Sequence, residues 1–390
     1  MVLRSPTSAA ATRPPNRKQL IIEAAGQVFS ERGYHAASME EIAAGVGISA
    51  AALYRHFPNK YALFAACADL MVDRLVGALD EAPPDAALPD MLAALVRVTV
   101  AHRASGGLYR WEARYLERAD RRQLRTKFAQ VVDRVAEKVR QEYPLGGEHL
   151  RAVAALGAIG SITMHHTSIA QRRIEDLLLS SALRMVATDP GAAAGSARLV
   201  ELPALPVPRT RRAEILAAAI PLFARDGFAN VTNGQIAQAV GLAPSAIYRH
   251  YPGKVDILVA ACLQAAGLLA QAVDRSLDQA ADPRQAVVAL TAAYVAYSFE
   301  HNALNSVAEA EIRGLPADRQ RPLMLAQREH IAVWEQQLRL ARPDLDPRGA
   351  RLLVHAGFGV VVEAGRALRW QNTPGHRDTV TALVTSALTV

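Results

Sequence analysis

Cysteine is scarce in this sequence, which contains two cysteines among 390 residues. That number excludes a secreted scaffold stabilised by several disulfides, and it excludes zinc or iron–sulfur sites built from several cysteine ligands. We expect Cys67 and Cys262 to be small buried hydrophobic side chains rather than a redox switch. Met1–Leu20 contains no apolar segment of the signal-peptide kind, so the expected location is the cytoplasm.

Long uncharged stretches are also rare. One of them runs from Ala152 to Gln171, and its length is sufficient to span a bilayer. It contains His165, His166 and several hydroxyl side chains, which favour a buried interface helix over a membrane span. Adjacent histidines face different sides of a helix and make a poor metal pair. We therefore expect no metal, no cofactor and no membrane partner.

Positive charge is in excess, with 44 Lys+Arg against 37 Asp+Glu, a net charge of +7. Residues 1–60 carry a net charge of +3 and residues 209–254 a net charge of +4, so these two windows contain the whole excess. Two basic regions on a neutral body indicate two contacts with a polyanion. Chance variation in short windows explains the same pattern, so this interpretation needs a motif.

The chain contains an internal repeat of domain length. The segment from Arg17 to Asp69 aligns without a gap with the segment from Arg211 to Leu263. Identical pairs include Ile21 with Ile215, Phe29 with Phe223, Gly47 with Gly241, and Tyr54-Arg55-His56 with Tyr248-Arg249-His250. A gapless match of this length indicates a duplication rather than a short solenoid repeat.

Almost all of the remaining sequence predicts helix. Ala, Leu, Arg and Glu are abundant, and apolar residues recur at three- and four-residue spacings. No convincing alternating strand is visible, and prolines and glycines interrupt the helical pattern at intervals. The sequence therefore predicts an all-α fold with about nine helices in each half.

A short helix, a glycine turn and a second short helix are predicted in the first copy. Gly33 ends the preceding amphipathic helix. Ser38 and Glu41 have the spacing of a reciprocal capping box. A short helix then ends at Gly47, whose turn leads into the second short helix over residues 50–56.

The second copy repeats this arrangement. Thr232 and Gln235 have the capping-box spacing, Gly241 provides the turn, and Pro244 comes early in the second short helix. Such a pair of helices is the helix-turn-helix (HTH) motif, whose second helix enters the DNA major groove. An ordinary helical corner has the same outline, but two copies with basic flanks favour the DNA-binding interpretation.

The sequence around each turn resembles a known family. Gly47-Ile48-Ser49 through Leu53-Tyr54-Arg55-His56-Phe57-Pro58-Asn59-Lys60, and Gly241 through Ile247-Tyr248-Arg249-His250-Tyr251-Pro252-Gly253-Lys254, are similar to the signature of the TetR family of bacterial transcription regulators. The resemblance implies a three-helix DNA-binding domain followed by a helical ligand-binding domain. Family members ordinarily pair as homodimers through their last two helices. This chain resembles the double-unit repressors of actinobacteria.

The repeat and the resemblance together define the expected domains. We predict a first HTH domain at 1–65, a first ligand-binding domain at 66–188, a linker at 189–208, a second HTH domain at 209–259 and a second ligand-binding domain at 260–390. Small residues in late apolar helices (Gly157, Gly160, Gly357 and Gly359) indicate close helix contacts. We expect the two units to pack together as an intramolecular pseudo-dimer, and a homodimer of the whole chain stays open.

The resemblance places Tyr54, His56 and Lys60, and Tyr248, His250 and Lys254, on DNA phosphates, for which all three groups are suitable donors. Arg55 and Arg249 suit either phosphate or an intrachain carboxylate. The basic residues before each HTH are either arms to the DNA backbone or a solvated charge cluster. The full set of predicted DNA-contacting residues is Arg17, Lys18, Ser38, Ser49, Ala50, Ala51, Tyr54, Arg55, His56 and Lys60, with Arg211, Arg212, Thr232, Pro244, Ser245, Tyr248, Arg249, His250 and Lys254.

The two base-reading faces are small and unlike each other. Ser49, Ala50 and Ala51 stand where the second copy has Ala243, Pro244 and Ser245. Neither face offers an arginine, asparagine or glutamine for bidentate base contacts. We therefore predict an operator with non-identical half-sites.

Candidate ligand contacts are polar and aromatic residues in the domains behind each HTH. Most residues at helical spacing simply belong to the core, so each of these assignments has that alternative. The candidates are His102, Trp111, Glu112, Tyr115 and His165 in the first half, and Tyr294, Tyr297, Asn305, Glu309, Trp334 and Phe358 in the second.

The leading hypothesis is a transcriptional repressor that binds double-stranded operator DNA. A small apolar or lipid-like effector would release the protein from the DNA. The effector would shift the helix that links each cavity to its HTH domain, at Tyr61–Ala82 and Val255–Ala280. An enzyme is not expected, because the sequence lacks glycine-rich phosphate loops and nucleophile or metal motifs. The alternative is a helical binding or architectural protein with degenerate DNA-binding units.

Overall fold

The computed structural model describes residues 17–83, 85–111, 115–190, 202–205 and 207–388. These residues form helices and connecting segments without a β-strand, so the predicted all-α class is confirmed. The helices of the first unit are α1 (Arg17–Ala36), α2 (Met39–Gly45), α3 (Ala50–Tyr54), α4 (Lys60–Asp80), α5 (Leu88–Ala101), α6 (Leu108–Trp111), α7 (Arg118–Glu142), α8 (Glu148–Gly160) and α9 (Gln171–Val186).

The second unit repeats this order with one substitution. Its helices are α10 (Arg211–Asp226), α11 (Asn233–Ala239), α12 (Lys254–Leu277), α13 (Pro283–Glu300), α14 (Asn302–Glu311), α15 (Ala317–Ala341), α16 (Pro347–Ala367) and α17 (Pro374–Leu388). A 3₁₀ helix at Pro244–Arg249 stands where α3 stands in the first unit, and further 3₁₀ turns occupy Ser161–Thr163, Phe228–Asn230 and Ile312–Gly314.

The HTH domain of each unit has an apolar core, and the two cores are built from residues at corresponding positions. The aromatic rings of Phe29 and Phe64 meet edge to face, with centroids 5.4 Å apart. Burial of one such side chain contributes about 1.5–3 kcal/mol to folding. The matched core positions, each at most 1% exposed, are Ile21, Phe29, Ile42, Leu53 and Leu63 in the first domain and Ile215, Phe223, Ile236, Ile247 and Ile257 in the second.

The late helices of the two units pack against each other. α8 crosses α16 where Gly157 and Gly359 meet, and a Cβ on Gly359 would lie 2.5 Å from the Gly157 carbonyl oxygen. α9 lies against α17, where Ser181 Oγ donates to the Ala387 carbonyl at 3.0 Å. Gly357 instead faces Val384 of α17. Glycine thus permits the backbones of the two units to approach closely.

The stretch from Ala152 to Gln171 is not one helix. The prediction of a buried interface helix was therefore wrong for the second half of this stretch. α8 ends at Gly160 and a 3₁₀ turn follows. Ser161 Oγ donates to the Ala158 carbonyl at 2.7 Å and Thr163 Oγ1 to the Gly160 carbonyl at 2.8 Å. These hydroxyls compete with the helical ladder at its end. His165 and His166 therefore lie in the loop before α9, rather than on two sides of a helix.

The predicted linker at 189–208 lies mostly outside the described residues. Within the part that the structure describes, Pro203 is buried. Leu202 packs against a buried cluster formed by Ala261, Ala265, Leu268, Tyr297 and Leu304. The end of the linker is therefore seated against α12, α13 and α14.

α12 is long and apolar enough to cross a membrane by length and composition, and it is the one helix of the described chain with this property. A core helix of a globular protein has the same composition. In the structure α12 packs against α10, α13, α14 and α15 and buries Leu258, Ala261 and Ala265.

Candidate nucleic-acid interface and ligand domain

The turn between the two HTH helices requires glycine in both units. Gly47 has φ of 66° and Gly241 has φ of 67°, the left-handed region that favours glycine. The backbone then closes onto the preceding helix, with Ile48 N donating to Ala43 O at 3.0 Å and Leu242 N to Ala237 O at 2.8 Å. The turn sets the angle at which the second short helix leaves the first.

Side-chain caps begin α2 and α11, but the two caps differ. Ser38 Oγ accepts from Glu41 N at 3.1 Å. The Glu41 carboxylate pairs with Arg32 at 2.7 Å rather than reaching back, so the capping box predicted for the first unit is half formed. In the second unit Thr232 Oγ1 accepts from Gln235 N at 3.2 Å, and Gln235 Oε1 accepts from Thr232 N at 2.7 Å. That capping box is confirmed.

The second short helix of each HTH also differs. Ser49 Oγ accepts from Ala52 N at 3.2 Å and starts α3 as an α-helix. The second unit has Ala243 at this cap and Pro244 in the first turn, and no side chain caps the helix end. The segment there winds as a 3₁₀ helix. The surfaces presented by Ala50 and Ala51 in one unit and by Pro244 and Ser245 in the other are therefore different in shape as well as sequence.

The tyrosines and arginines of these helices lie on the surface. Tyr54 is 48% exposed and Tyr248 is 59% exposed, which is unusual for rings of this size. Arg55 and Arg249 are exposed as well. The Tyr248 hydroxyl accepts from Asn233 Nδ2 at 3.1 Å, which orients the phenol. His56 and His250 are half-buried at the ends of the same helices.

The ammonium of Lys60 points into the protein. Lys60 Nζ donates to the carbonyls of His35 at 3.2 Å and Ala37 at 3.0 Å. It also lies 4.8 Å from the ring centroid of Tyr34. Burial lowers the pKa of Lys60. The side chain thereby ties the start of α4 to the end of α1.

Lys254 repeats this arrangement in the second unit. Its ammonium donates to the carbonyls of Phe228 at 2.7 Å and Val231 at 2.6 Å, and burial lowers its pKa. In the absence of DNA both ammoniums are thus turned toward backbone carbonyls of their own domain. The phosphate contacts of Lys60 and Lys254 stay a prediction.

The basic residues before each HTH are partly committed to the protein. Lys18 Nζ lies 5.5 Å from the Phe57 ring centroid. The Arg212 guanidinium lies 4.0 Å over the Tyr251 ring and donates to the His250 carbonyl. Arg211 pairs with Glu214 at 2.6 Å. Arg212 is thus packed against its own domain, while the arm role of Arg17 and Lys18 stays a prediction.

The repeated geometry agrees with a match to a known family. Residues 21–67 and 215–261 each match the family described as bacterial regulatory proteins, tetR family. Each half of the chain therefore carries an HTH domain of the TetR family.

Three known proteins are similar to this chain in sequence or in structure. The chain is 47% identical over 70 residues to the HTH-type transcriptional activator FasR of Mycolicibacterium smegmatis, covering 18% of this chain and 32% of FasR. It is 27% identical over 135 residues to the nucleoid occlusion factor SlmA of Vibrio atlanticus, covering 34% of this chain and 69% of SlmA. A TetR-family regulator from Bordetella parapertussis superposes with a TM-score of 0.41 and 21% identity, covering 45% of this chain and 93% of that one. The chain thus spans about a third of the length of FasR.

In the first unit, the candidate ligand residues do not come together. His102 caps the end of α5. Tyr115 stacks on Tyr34 of the HTH domain at 5.8 Å, and His165 stacks on His355 of the other unit at 4.0 Å. The side chain of Trp111 and all of Glu112 lie outside the described residues. The structure therefore does not bring His102, Tyr115 and His165 together, and their role as ligand contacts stays a prediction.

In the second unit, most candidates do come together. The rings of Tyr294, Trp334 and Phe358 form an aromatic cluster with His330. Ring centroids are 4.5 Å apart for Tyr294 and Phe358, 5.4 Å for Trp334 and Phe358, and 5.8 Å for His330 and Phe358. Glu309 Oε1 accepts from the Tyr294 hydroxyl and from Asn305 Nδ2, each at 3.2 Å.

Two details complete this cluster. Tyr297 lies outside it, with its hydroxyl donating to the Ala265 carbonyl of α12 at 3.4 Å. His330 was missed by the sequence reasoning, although its position four residues before Trp334 puts both on one face of α15. Burial raises the pKa of Glu309 and lowers that of His330 to about 4.

Both cysteines are buried, as expected from the sequence, and neither forms a disulfide. Burial raises the pKa of each thiol. Neither thiol is therefore a reactive thiolate near neutral pH. Among the described residues no group of histidine, cysteine or carboxylate side chains is arranged to hold a metal ion.

Proposed function

We infer that this chain is a DNA-binding transcriptional regulator of the TetR family whose two HTH domains act together from one polypeptide. One observation carries the proposal: the chain has two TetR-type HTH domains, and each is attached to helices that pack against those of the other unit. In this arrangement α8, α9, α16 and α17 replace the homodimer contact that the resemblance implies. The pair would address two half-sites about one helical turn, roughly 34–36 Å, apart.

The DNA contacts that we propose are surface donors on the two HTH domains. Tyr54, Arg55, Tyr248 and Arg249 are exposed on the segments that would face DNA, and hydroxyls and guanidiniums are suitable phosphate donors. Because the residues at the base edges differ between the units, the proposed operator has two non-identical halves. The cytoplasm is the proposed location, because a protein that binds operator DNA must share a compartment with that DNA.

We propose that a small-molecule effector releases the protein from DNA, which makes it a repressor. Support comes from the long helices α4 and α12, which begin at the HTH domains and continue into the helical domains behind them. An effector that prefers the arrangement unable to bind DNA shifts the population toward it. The similar protein FasR is named an activator, so the sign of regulation needs its own test.

The test is selection of genomic fragments by the full chain, followed by a reporter gene placed behind the recovered site. The expected result is an asymmetric two-part site and lower reporter output when the protein is present. Higher output would make the protein an activator. The double variant Tyr54→Ala, Tyr248→Ala is the matched control and should recover no site.

A second candidate function follows from the small residues at the base-reading faces and from the likeness to SlmA, which is named a nucleoid occlusion factor. A chain with weak base contacts and two HTH domains could bind DNA without controlling a promoter. Recovery of many dispersed fragments without a shared sequence would favour this architectural role over the regulator.

A further inference from the structure

The two ligand domains can be compared position by position, because their helices correspond. α7 and α15 each contain 25 residues. Aligned end to end, they place Val131 opposite His330 and Val135 opposite Trp334. Both valines are fully buried in an apolar core. The second unit therefore carries a polar ring at each of two positions where the first unit has an aliphatic side chain.

The neighbouring helices show the same replacement. His102 and His301 occupy the cap at the end of α5 and α13. Counted back from these caps, Leu95 of α5 is opposite Tyr294 of α13. Leu95 is fully buried, so the first unit again has an aliphatic side chain where the second has a polar ring.

Two polar atoms of the aromatic cluster are buried without a hydrogen-bond partner. They are Trp334 Nε1 and His330 Nε2. Trp334 is 1% exposed, so water does not serve its N–H group. Buried polar groups are almost always paired in folded proteins. An unpartnered indole N–H in the cluster whose Tyr294 is bonded to Glu309 therefore points to a bound molecule as the missing partner.

The cluster also has accessible surface that does not face bulk water. Glu309, His330 and Phe358 each keep part of their surface accessible. Burial is nevertheless the largest cause of the pKa shifts of Glu309 and His330. Surface that is accessible but poorly solvated belongs to an interior recess, the usual form of a small-molecule site.

We propose that the second unit alone holds the effector, and that the effector is an uncharged ring compound bearing a hydroxyl or keto oxygen. Trp334 Nε1 would donate to that oxygen, Glu309 would take part in a hydrogen bond with a ligand hydroxyl, and Phe358 and Tyr294 would stack on the ring. This inference rests on the proposed ligand-responsive function.

The charge of the site selects among ligand classes. His330 is neutral at pH 7, and burial favours the neutral form of Glu309. A ligand carboxylate would bring a negative charge next to Glu309, where burial already disfavours charge. An organic cation would find aromatic faces and a carboxyl group, but it would leave the Trp334 N–H without an acceptor. An uncharged hydroxylated ring gives the Trp334 N–H an acceptor and gives Glu309 a partner without adding a charge.

The experiment uses the full chain without DNA and three probes on one ring: 2-naphthol, 2-naphthoate and 2-naphthylmethylammonium. The chain has three tryptophans, so a ¹⁵N-¹H correlation spectrum shows three indole N–H signals. The variant Trp334→Phe identifies the signal of Trp334. We expect 2-naphthol to move this signal downfield and the two charged probes to leave it in place up to their solubility limits. A shift with naphthoate or with the ammonium only, or no shift with any probe, would overturn the ligand class.

Calorimetry with 2-naphthol tests whether one unit or both units bind. We expect one molecule per chain and about tenfold weaker binding for Trp334→Phe, the loss of one hydrogen bond. Val135→Ile, at the matching place in the first unit, should leave the affinity unchanged. Two molecules per chain, or equal loss in the Val135 variant, would contradict one-sided binding.

These measurements separate this inference from the proposed function. A chain that binds 2-naphthol in the second unit but selects no DNA would leave the ligand site standing and remove the regulator. A chain that selects DNA but binds none of the probes would do the reverse.

Discussion

The two halves of the chain share an order of helices and differ in the side chains that fill their helical domains. The first unit fills its helical domain with aliphatic residues such as Leu95, Val131 and Val135. The second unit places Tyr294, His330 and Trp334 at the corresponding positions. In the HTH domains the first unit has a capped α-helix, and the second has a 3₁₀ helix after Pro244. A duplicated chain can thus keep an aliphatic core in one half while the other half acquires polar groups.

The contact that joins the two units gives the largest expected effect. Gly359→Ala would put a Cβ against the Gly157 carbonyl, which belongs to backbone and cannot move easily. We expect the free energy of unfolding to fall by about 3 kcal/mol, measured by urea denaturation. Gly77→Ala in α4, where an added Cβ meets nothing within 4 Å, is the control and should be neutral or stabilising. If the two variants had the same free energy of unfolding, the backbones of α8 and α16 would not be in close contact.

A pH titration tests the burial of His330, which the second helical domain has where the first has Val131. The folded pKa of His330 is lowered to about 4 from its ordinary 6.5. The unfolded state therefore takes up the proton first as the pH falls, and stability is lost between about pH 6.5 and pH 4. From pH 7 to pH 5, His330 by itself is expected to lower the free energy of unfolding by about 2 kcal/mol.

The variant His330→Val, which copies the residue of the first unit, isolates this contribution. Its free energy of unfolding should depend less on pH over that range by the same amount. An unchanged slope would show that His330 is solvated in the folded protein.

Removing the exposed tyrosines compares the two HTH domains. Tyr54→Ala and Tyr248→Ala should each weaken operator binding about tenfold, close to 1.4 kcal/mol, in a gel-shift titration at fixed salt. Because both rings are exposed, the melting temperatures should hardly change. If one variant binds as tightly as the parent chain, its HTH domain does not contact the DNA.

The smallest expected effect concerns the helix caps. Thr232→Ala should lower the free energy of unfolding by about 1 kcal/mol, and Ser38→Ala by a few tenths less. The difference arises because Gln235 completes the capping box while Glu41 turns to Arg32. Thermal denaturation of both variants measures it. A larger loss for Ser38→Ala would show that this hydroxyl has a partner beyond Glu41 N.

Short-range rules account for the features that the sequence predicted well. The turn at Gly241, the capping box at Thr232 and the alternation of helix and break depend on residues within a few positions of one another. The repeat strengthened the assignment of the two HTH motifs, because each copy supported the other. The TetR resemblance rests on the same local segments.

Longer-range features could not be predicted in this way. The inward turn of Lys60 depends on where the carbonyls of His35 and Ala37 lie after folding. The cluster of Tyr294, Glu309 and Trp334 joins three helices whose order in space is not written in any one of them. His330 was overlooked because a lone histidine on a polar helix ordinarily faces solvent.

The central claim is that one chain supplies both DNA-binding domains for one operator. Native mass spectrometry of the protein bound to its selected DNA tests it most directly. The account predicts one chain of 41.9 kDa per two-part site. Two chains on a palindrome, each using one HTH domain, would contradict it.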